Sequence, residues 1–136
     1  MTATPGAPPD LSSLREVRAL LERHHLAPDK AFGQNFLVDR TALQAIVAAA
    51  DLPTSATIVE VGPGLGVLTA ALAATGANVL ALELDQRLIP ALQETTRTFG
   101  NVEVRHQDAV AFDHASLPEG SYLVANLPYQ VATHII

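Results

Sequence analysis

The stretch Thr57-Ile-Val-Glu-Val-Gly-Pro-Gly-Leu-Gly-Val-Leu-Thr69 decides the fold of this chain. Its opening residues, Thr57–Val61, form a largely apolar run typical of a buried strand, and a helix is expected over 66–75. Glycines between a strand and a helix permit a tight turn and let a ligand approach the backbone at the helix N-terminus. The stretch therefore predicts a nucleotide-type pocket, although a glycine cluster can also serve as a structural turn alone.

Short apolar runs and helical segments alternate through the rest of the chain. Strands are expected over 57–61, 78–84, 102–105 and 122–125, and helices over 66–75 and about 86–98. Pro90 is tolerated only in the first turn of a helix, so the second of these helices either begins late or bends there. Strands linked by helices or long crossovers predict a parallel sheet covered on both faces, in an order such as 3-2-1-4. The expected fold class is α/β, doubly wound and Rossmann-like.

The N-terminal part, residues 1–29, is expected to form an extension with a short helix over about 14–25. Ser13 and Glu16 have the spacing of a capping box, apolar residues repeat at helical spacing, and Pro28 ends the helix. A loop and a second amphipathic helix follow before the first strand.

The C-terminal part predicts a core domain that is incomplete. The core spans residues 30–136, and Val131, Ile135 and Ile136 fit the first turns of a further helix after the fourth strand. A four-stranded sheet would expose the edge of its fourth strand, and exposed apolar edges favour association. We therefore expect a core truncated after the fourth strand, or a partner that covers that edge.

The composition limits the classes of protein. The 136 residues fit one domain or part of one, and the absence of cysteine excludes disulfides and thiolate metal sites. The histidines show no metal-ligand spacing, no apolar run is long enough to span a bilayer, and the N-terminus lacks a signal peptide. These features predict a soluble, cytoplasmic protein without a metal. The net charge of −6 argues against this stretch alone binding a nucleic-acid backbone.

Two acidic residues at predicted strand ends indicate the kind of nucleotide-like ligand. Glu83 ends the second strand, where a carboxylate can accept both hydroxyl hydrogens of a ribose, although a solvated glutamate is also common there. Asp108 follows the third strand, where the adenine amino group of S-adenosylmethionine would lie. Pro63 removes one backbone N–H from the glycine loop, a small loss for a sulfonium cofactor without phosphates and a larger one for a dinucleotide. These residues favour S-adenosylmethionine.

A second motif, Asn126-Leu127-Pro128-Tyr129, follows the fourth strand at the carboxyl edge of the sheet, where open α/β folds bind their ligands. The Asn126 side-chain oxygen and the backbone carbonyl before the proline can accept both hydrogens of an adenine N6, while Tyr129 offers a face for stacking the base. The alternative is a proline-containing turn that merely ends a strand. With the other positions, the motif predicts methyl transfer to an adenine amino group, which needs no nucleophile or metal.

The chain resembles the N-terminal part of the small-subunit ribosomal RNA adenine N6,N6-dimethyltransferases over about residues 14–136. The resemblance rests on five ordered segments: Phe32-Gly-Gln-Asn-Phe-Leu37, Glu60-Val-Gly-Pro-Gly-Leu-Gly-Val-Leu-Thr69, Glu83-Leu-Asp85, Gln107-Asp108 and Asn126-Leu-Pro-Tyr129. It implies an enzyme that adds two methyl groups to the N6 of each of two neighbouring adenosines in ribosomal RNA during ribosome maturation. The small ribosomal subunit is the implied partner.

The resemblance also implies roles for particular residues. The positions that would contact S-adenosylmethionine are Asn35, Leu37, Gly62, Gly64, Glu83, Asp108 and Asn126, with Gln34 a weaker candidate. The target site would be formed by Asn126, Leu127, Pro128 and Tyr129. In the family, a small helical C-terminal domain that helps to hold RNA follows this part, and it is missing from the sequence.

Two alternative functions remain open from the sequence. One is a related family that methylates large-subunit ribosomal RNA and confers macrolide resistance, although its loops commonly depart from Gly-Pro-Gly and Asn-Leu-Pro-Tyr. Gln130 departs from the asparagine often found in the maturation enzymes, which affects only details of the target loop. The other alternative is a cofactor-binding module that does not catalyse methyl transfer.

Overall fold

The helices and strands below come from a computed structural model, which describes residues 9–11, 13–26, 40–127 and 130–135, and only the backbone of 40–43, 46, 126–127 and 130–135. The helices are α1 (Leu14–Arg23), α2 (Arg40–Ala50), α3 (Val67–Ala74) and α4 (Ile89–Thr96), with 3-10 turns at Gln86–Leu88 and His114–Ser116. The strands are β1 (Thr57–Val61), β2 (Asn78–Glu83), β3 (Val102–His106), β4 (Tyr122–Leu127) and β5 (Gln130–Ile135).

The strands form one sheet in the order β3-β2-β1-β4-β5. Strands β1 to β4 are parallel, which confirms the predicted 3-2-1-4 arrangement and the doubly wound α/β class. The register sets Val61 beside Leu82 of β2 and Ala125 of β4. The carboxyl ends of β1, β2 and β4 therefore lie side by side at one edge of the sheet.

The segment after β4 is a strand, so the prediction of a further helix around Val131 and Ile135 was wrong. Strand β5 pairs antiparallel with β4 from Leu127↔Gln130 to Tyr122↔Ile135. The β-branched residues Val131, Thr133 and Ile135 alternate along it, a pattern that favours an extended chain. The outer edge of β4 supplies unpaired backbone groups that only a strand can use, and β5 covers the edge that was expected to be exposed.

Apolar clusters cover both faces of the sheet. One cluster joins α3 to the sheet through Ile58, Leu68, Leu72 and Val79, with Val47 of α2 packed against it. The other face carries Val59 and Leu82 under Phe112, which belongs to the long crossover between β3 and β4. The central strands are thus shielded from water on both sides, as parallel sheets require.

The N-terminal helix and α4 form where the sequence predicts. The side chain of Ser13 accepts a hydrogen bond from the backbone N–H of Glu16 at 3.4 Å, which caps α1. The Glu16 carboxylate accepts from the backbone N–H of Asp10 instead of completing a capping box. Pro90 lies in the first turn of α4, so this helix begins late, after a 3-10 turn, and loses no internal hydrogen bond.

Candidate functional site

The glycine loop between β1 and α3 adopts a conformation that side chains disfavour. Gly62, Gly64 and Gly66 have φ angles of 71°, 61° and 93°. A Cβ atom on Gly64 would have no heavy atom within 4 Å, so this side of the loop is open, whereas Gly66 is closely packed. The open side presents backbone rather than side chains, which is the surface a ligand needs for close approach.

Glu83 lies directly against this loop. Its carboxylate accepts hydrogen bonds from the backbone N–H of Gly64 at 3.0 Å and of Asp85 at 2.9 Å, one on each oxygen. The residue is only 6% exposed. Each carboxylate oxygen has a second lone pair, so Glu83 can still accept two hydroxyl hydrogens without losing its backbone partners. The structure thus brings together two residues that the sequence placed in the cofactor site.

Asp108 lies after β3 and close to the end of β2. The backbone N–H of Gln107 donates to the Glu83 carbonyl oxygen at 3.1 Å, which ties the two strand ends together. The Asp108 side chain is exposed and accepts a hydrogen bond from the backbone N–H of Val110 at 2.9 Å. This bond orients the carboxylate at the same sheet edge as Glu83.

Two exposed apolar side chains flank these carboxylates in the chain, and no sequence motif marks them. Leu84 follows Glu83 and is 66% exposed, and Val110 follows Asp108 after one alanine and is 92% exposed. Their aliphatic side chains are free to pack against a flat apolar ligand face at this edge, such as a purine ring. In the sequence, these residues can be found as the aliphatic residues that follow each strand-end carboxylate within two positions.

Glu60 is a buried acid below the glycine loop, and its environment was not apparent from the sequence. It is fully buried in β1, and its Oε1 atom accepts a hydrogen bond from the Thr69 hydroxyl in the first turn of α3. Its Oε2 atom has no hydrogen-bond partner within the described part of the chain. Burial raises the pKa of Glu60 to about 7; the Thr69 hydrogen bond lowers it and repulsion from Glu83 raises it. The pKa of Glu60 therefore lies well above the usual range of a glutamate carboxyl.

The target motif is described only in part. The backbone of Asn126 pairs with Val131 of β5 and follows Ala125, whose partner in β1 is Val61. Asn126 therefore lies at the end of β4 beside the start of the glycine loop. Leu127 pairs with Gln130. The other predicted site residues lie outside the described residues, and they are Gln34, Asn35, Leu37, Pro128 and Tyr129.

The described residues carry neither a metal-binding cluster nor a membrane-spanning helix. Within them, no group of three or more histidine, cysteine, aspartate or glutamate side chains could hold a metal ion. No helix in the same part of the chain has the length and apolar character needed to cross a bilayer.

Comparison with known protein families matches residues 27–136 to the family described as ribosomal RNA adenine dimethylase. The chain belongs to this family. Ribosomal RNA small subunit methyltransferase A of Deinococcus radiodurans is 48% identical over 130 residues, which cover 93% of this chain and 44% of the relative. The protein of the same description from Streptococcus uberis is 44% identical over 128 residues, covering 88% of this chain and 43% of the relative. The chain therefore spans less than half the length of these relatives.

Solved structures agree with this assignment. The 23S rRNA methyltransferase ErmE superposes with a TM-score of 0.56 at 27% identity, covering 70% of this chain and 49% of that one. A dimethyladenosine transferase from Plasmodium falciparum gives a TM-score of 0.55 at 29% identity, covering 67% of this chain and 33% of that one. Both likenesses support the Rossmann-like methyltransferase fold.

Proposed function

We propose that this chain forms the cofactor-binding core of an S-adenosylmethionine-dependent enzyme that methylates adenine N6 in small-subunit ribosomal RNA. The observation that carries the proposal is the contact between the Gly64 backbone N–H and the Glu83 carboxylate, at the sheet edge to which the last residues of β4 bring Asn126. The identity of 44% and more to small-subunit methyltransferases, against 27% to a 23S rRNA methyltransferase, favours the small-subunit substrate.

The charge of the site fits a cationic cofactor. Glu83 and Asp108 lie at the carboxyl edge of the sheet and present their carboxylates there. Acidic side chains stabilise a ligand that carries a sulfonium and an ammonium group, whereas they would repel the phosphates of a dinucleotide. Among the loop residues, Pro63 has no N–H to offer a phosphate. The residues present therefore fit S-adenosylmethionine better than a dinucleotide.

The described residues suggest how the cofactor is held. Glu83 would accept the ribose hydroxyl hydrogens through its remaining lone pairs, and Asp108 would accept from the adenine amino group. Leu84 and Val110 would cover the faces of the adenine ring. Gly64 would allow the ligand to reach the backbone where a Cβ atom would otherwise project. Asn35 and Leu37 are proposed to complete this site.

Methyl transfer then depends on positioning. Bound S-adenosylmethionine supplies an electrophilic methyl group. The side-chain oxygen of Asn126 and the backbone carbonyl of Leu127 would accept the two N6 hydrogens of the target adenine, which aims the nitrogen lone pair at that methyl. Pro128 would hold this carbonyl in place and Tyr129 would stack on the flipped base. No side chain of the protein has to act as a nucleophile.

RNA binding is proposed to depend mainly on a part of the protein beyond this chain. The chain carries 8 lysine and arginine residues against 14 acidic residues, so it offers few phosphate contacts. A helical C-terminal domain would supply them, and the proposed place of action is the cytoplasm, where ribosomal subunits mature. A module that binds the cofactor without catalysing is the competing possibility for the chain by itself.

Cofactor binding tests the first part of the proposal. Calorimetric titration of the folded chain with S-adenosylmethionine should give saturable heat, and Glu83→Gln should weaken binding about tenfold because it loses charge-assisted hydrogen bonds. Glu103→Gln is the matched control, since Glu103 is an exposed acid on β3. Equal affinities for the two variants would remove Glu83 from the site, and no heat with folded protein would refute the cofactor assignment.

Methyl transfer tests the second part. The complete gene product is incubated with small ribosomal subunits that lack adenine methylation, and dimethyladenosine is measured by mass spectrometry of the digested RNA. Asn126→Ala should abolish the product even at cofactor concentrations that saturate the variant, because the loss of the N6 acceptor is not restored by more cofactor. Gln93→Ala, which removes an exposed amide on α4, should leave it unchanged. Retained dimethylation by Asn126→Ala would contradict the assigned role.

A further inference from the structure

The glycine loop has little preference of its own for the observed conformation. Three of its residues are glycines with positive φ, and glycine reaches many other conformations at similar energy. Within the loop, the turn is closed by a hydrogen bond from the Gly66 N–H to the Pro63 carbonyl at 2.9 Å. Contacts from outside the loop must therefore select the arrangement that a ligand meets.

One contact that holds the glycine loop involves a residue that is also proposed to bind the ligand. The Gly64 N–H donates to Glu83, and Glu83 is also the residue proposed to bind the ribose. When ribose hydroxyls bind this carboxylate, its oxygens accept hydrogen bonds from the ribose as well as from the backbone N–H groups of Gly64 and Asp85. A second contact that the ligand does not touch would hold the loop in place independently of this shared carboxylate.

Such a contact lies on the opposite side of the loop, at Thr95 of α4. The Thr95 hydroxyl lies 2.7 Å from the carbonyl oxygen of Leu65 and 3.0 Å from that of Leu92, one turn back in its own helix. A hydroxyl has one hydrogen, and the shorter distance is to the loop. Thr95 is 2% exposed and Leu65 is 3% exposed, so neither partner has water as a substitute.

The packing around Leu65 and Gly66 leaves the loop no room to shift toward α4. A Cβ atom on Gly66 would lie 2.7 Å from the Thr95 hydroxyl oxygen and 2.9 Å from Leu92. The Leu65 side chain is packed in a buried cluster with Leu20 and Leu21 of α1 and with α4. The loop thus rests on two helices, and its one hydrogen bond to α4 fixes the plane of the Leu65–Gly66 peptide.

We propose that Thr95 is a positioning residue for cofactor binding, because its hydrogen bond to the Leu65 carbonyl holds the glycine loop in the conformation that receives S-adenosylmethionine. This inference rests on the proposed function of the loop. Without the bond, the loop populates other conformations. The apparent affinity for the cofactor then falls in proportion to the fraction of molecules that remain competent to bind.

The neighbouring Thr96 provides a matched control. It is equally a buried threonine, 4% exposed, and its hydroxyl donates to the Leu92 carbonyl at 2.8 Å within its own helix. Thr95→Val and Thr96→Val therefore remove the same atom from the same helix, but only the first removes a bond to the loop. Thr95→Ser retains the hydroxyl and should restore the loop contact.

The test measures the dissociation constant for S-adenosylmethionine by calorimetry, and the free energy of unfolding by urea titration, for the wild type and the three variants of the complete gene product. Thr95→Val should weaken binding about fivefold, the loss expected from one hydrogen bond, while Thr96→Val and Thr95→Ser bind within about twofold of the wild type. At saturating cofactor, the kcat of Thr95→Val should equal that of the wild type, so that the change appears in KM alone.

Equal affinities of Thr95→Val and Thr96→Val would overturn the inference, as would a loss of affinity in Thr95→Ser as large as in Thr95→Val. If Thr95→Val does not fold, Thr95→Ala is compared with Thr96→Ala under the same criteria. Failure of the wild type to bind S-adenosylmethionine would instead refute the proposed function, so the two failures are distinguishable.

Discussion

Replacing Glu60 by glutamine should change how the stability of the protein depends on pH. Burial raises the pKa of this carboxyl from 4.5 to about 7 in the folded state, where the neighbouring charge of Glu83 adds to the effect. Below pH 4.5 Glu60 holds its proton in both the folded and the unfolded states, so its burial does not make the free energy of unfolding depend on pH. As the pH rises, the unfolded state releases the proton first, and unfolding becomes progressively easier until the pH passes about 7.

The pKa shift of Glu60 sets the size of this effect on the free energy of unfolding. Each unit of pKa difference corresponds to about 1.4 kcal/mol, so ionisation of Glu60 costs the fold about 3 kcal/mol above pH 7. Glu60→Gln removes the titration but keeps an acceptor for the Thr69 hydroxyl. Its amide group adds a constant cost for a buried donor, so the absolute stabilities can differ in either direction. The difference between variant and wild type should nevertheless grow by about 3 kcal/mol in favour of the variant between pH 4.5 and 8.

Urea unfolding followed by circular dichroism at pH 4.5, 6, 7 and 8 measures this difference. Other carboxyl groups titrate in both proteins and cancel in the comparison. Glu103→Gln is the control, because Glu103 is exposed and pairs with Arg105 at the surface, so its difference from the wild type should stay within about 0.5 kcal/mol at every pH. Parallel stability curves for Glu60→Gln and the wild type would refute the reasoning, since they would mean that Glu60 titrates near its ordinary pKa in the fold.

Two further perturbations test the supports of the glycine loop. Glu94 accepts hydrogen bonds from Arg23 and His24 at the C-terminal end of α1. Burial alone would raise the pKa of the Glu94 carboxyl, but the interactions with Arg23 and His24 outweigh burial and hold the pKa below 4.5. The pairing therefore stabilises the fold above that pH and is lost in acid. Glu94→Gln should speed hydrogen exchange of the α1 amides at pH 7 and cost about 0.5–1 kcal/mol, whereas unchanged exchange would show that apolar packing alone holds α1. Gly66→Ala should cost about 2–4 kcal/mol in urea unfolding, from a left-handed φ and from overlap with Thr95, and a loss below about 1 kcal/mol would contradict the observed packing.

The fold of the parallel sheet could be predicted because its signals are local. Strands β1, β2 and β4 are short, largely apolar runs, and β3 is a short segment in which apolar and charged residues alternate. Glycines, prolines and helical segments separate them, and crossover rules then allow few arrangements. Strand β5 could not be predicted in the same way. Val131 and Ile135 are four residues apart, which fits one face of a helix as well as alternate positions of a strand. The open edge of β4, a tertiary feature, decides between them.

The proximity of the glycine loop and Glu83 was predictable, because both follow neighbouring parallel strands and the carboxyl ends of such strands lie at one edge of the sheet. The candidate site was not predictable where the role comes from contacts between distant segments. Thr95 and Leu65 are 30 residues apart in sequence, and a threonine in a helix shows no sign of its partner. Glu60 carries a charge that in most strands would indicate a surface position, and only the surrounding sheet and α3 reveal that it is buried.

The tight fit of Gly66 against α4 has a genetic consequence. Two independent restrictions act on this residue, one on its backbone angle and one on the space beside it. A second-site suppressor of Gly66→Ala that shortens Leu92 makes room on one side of the methyl group, but it does not relieve the backbone restriction. Selection for revertants of a Gly66 mutant should therefore return partial suppressors in α4 and full recovery only by restoration of glycine.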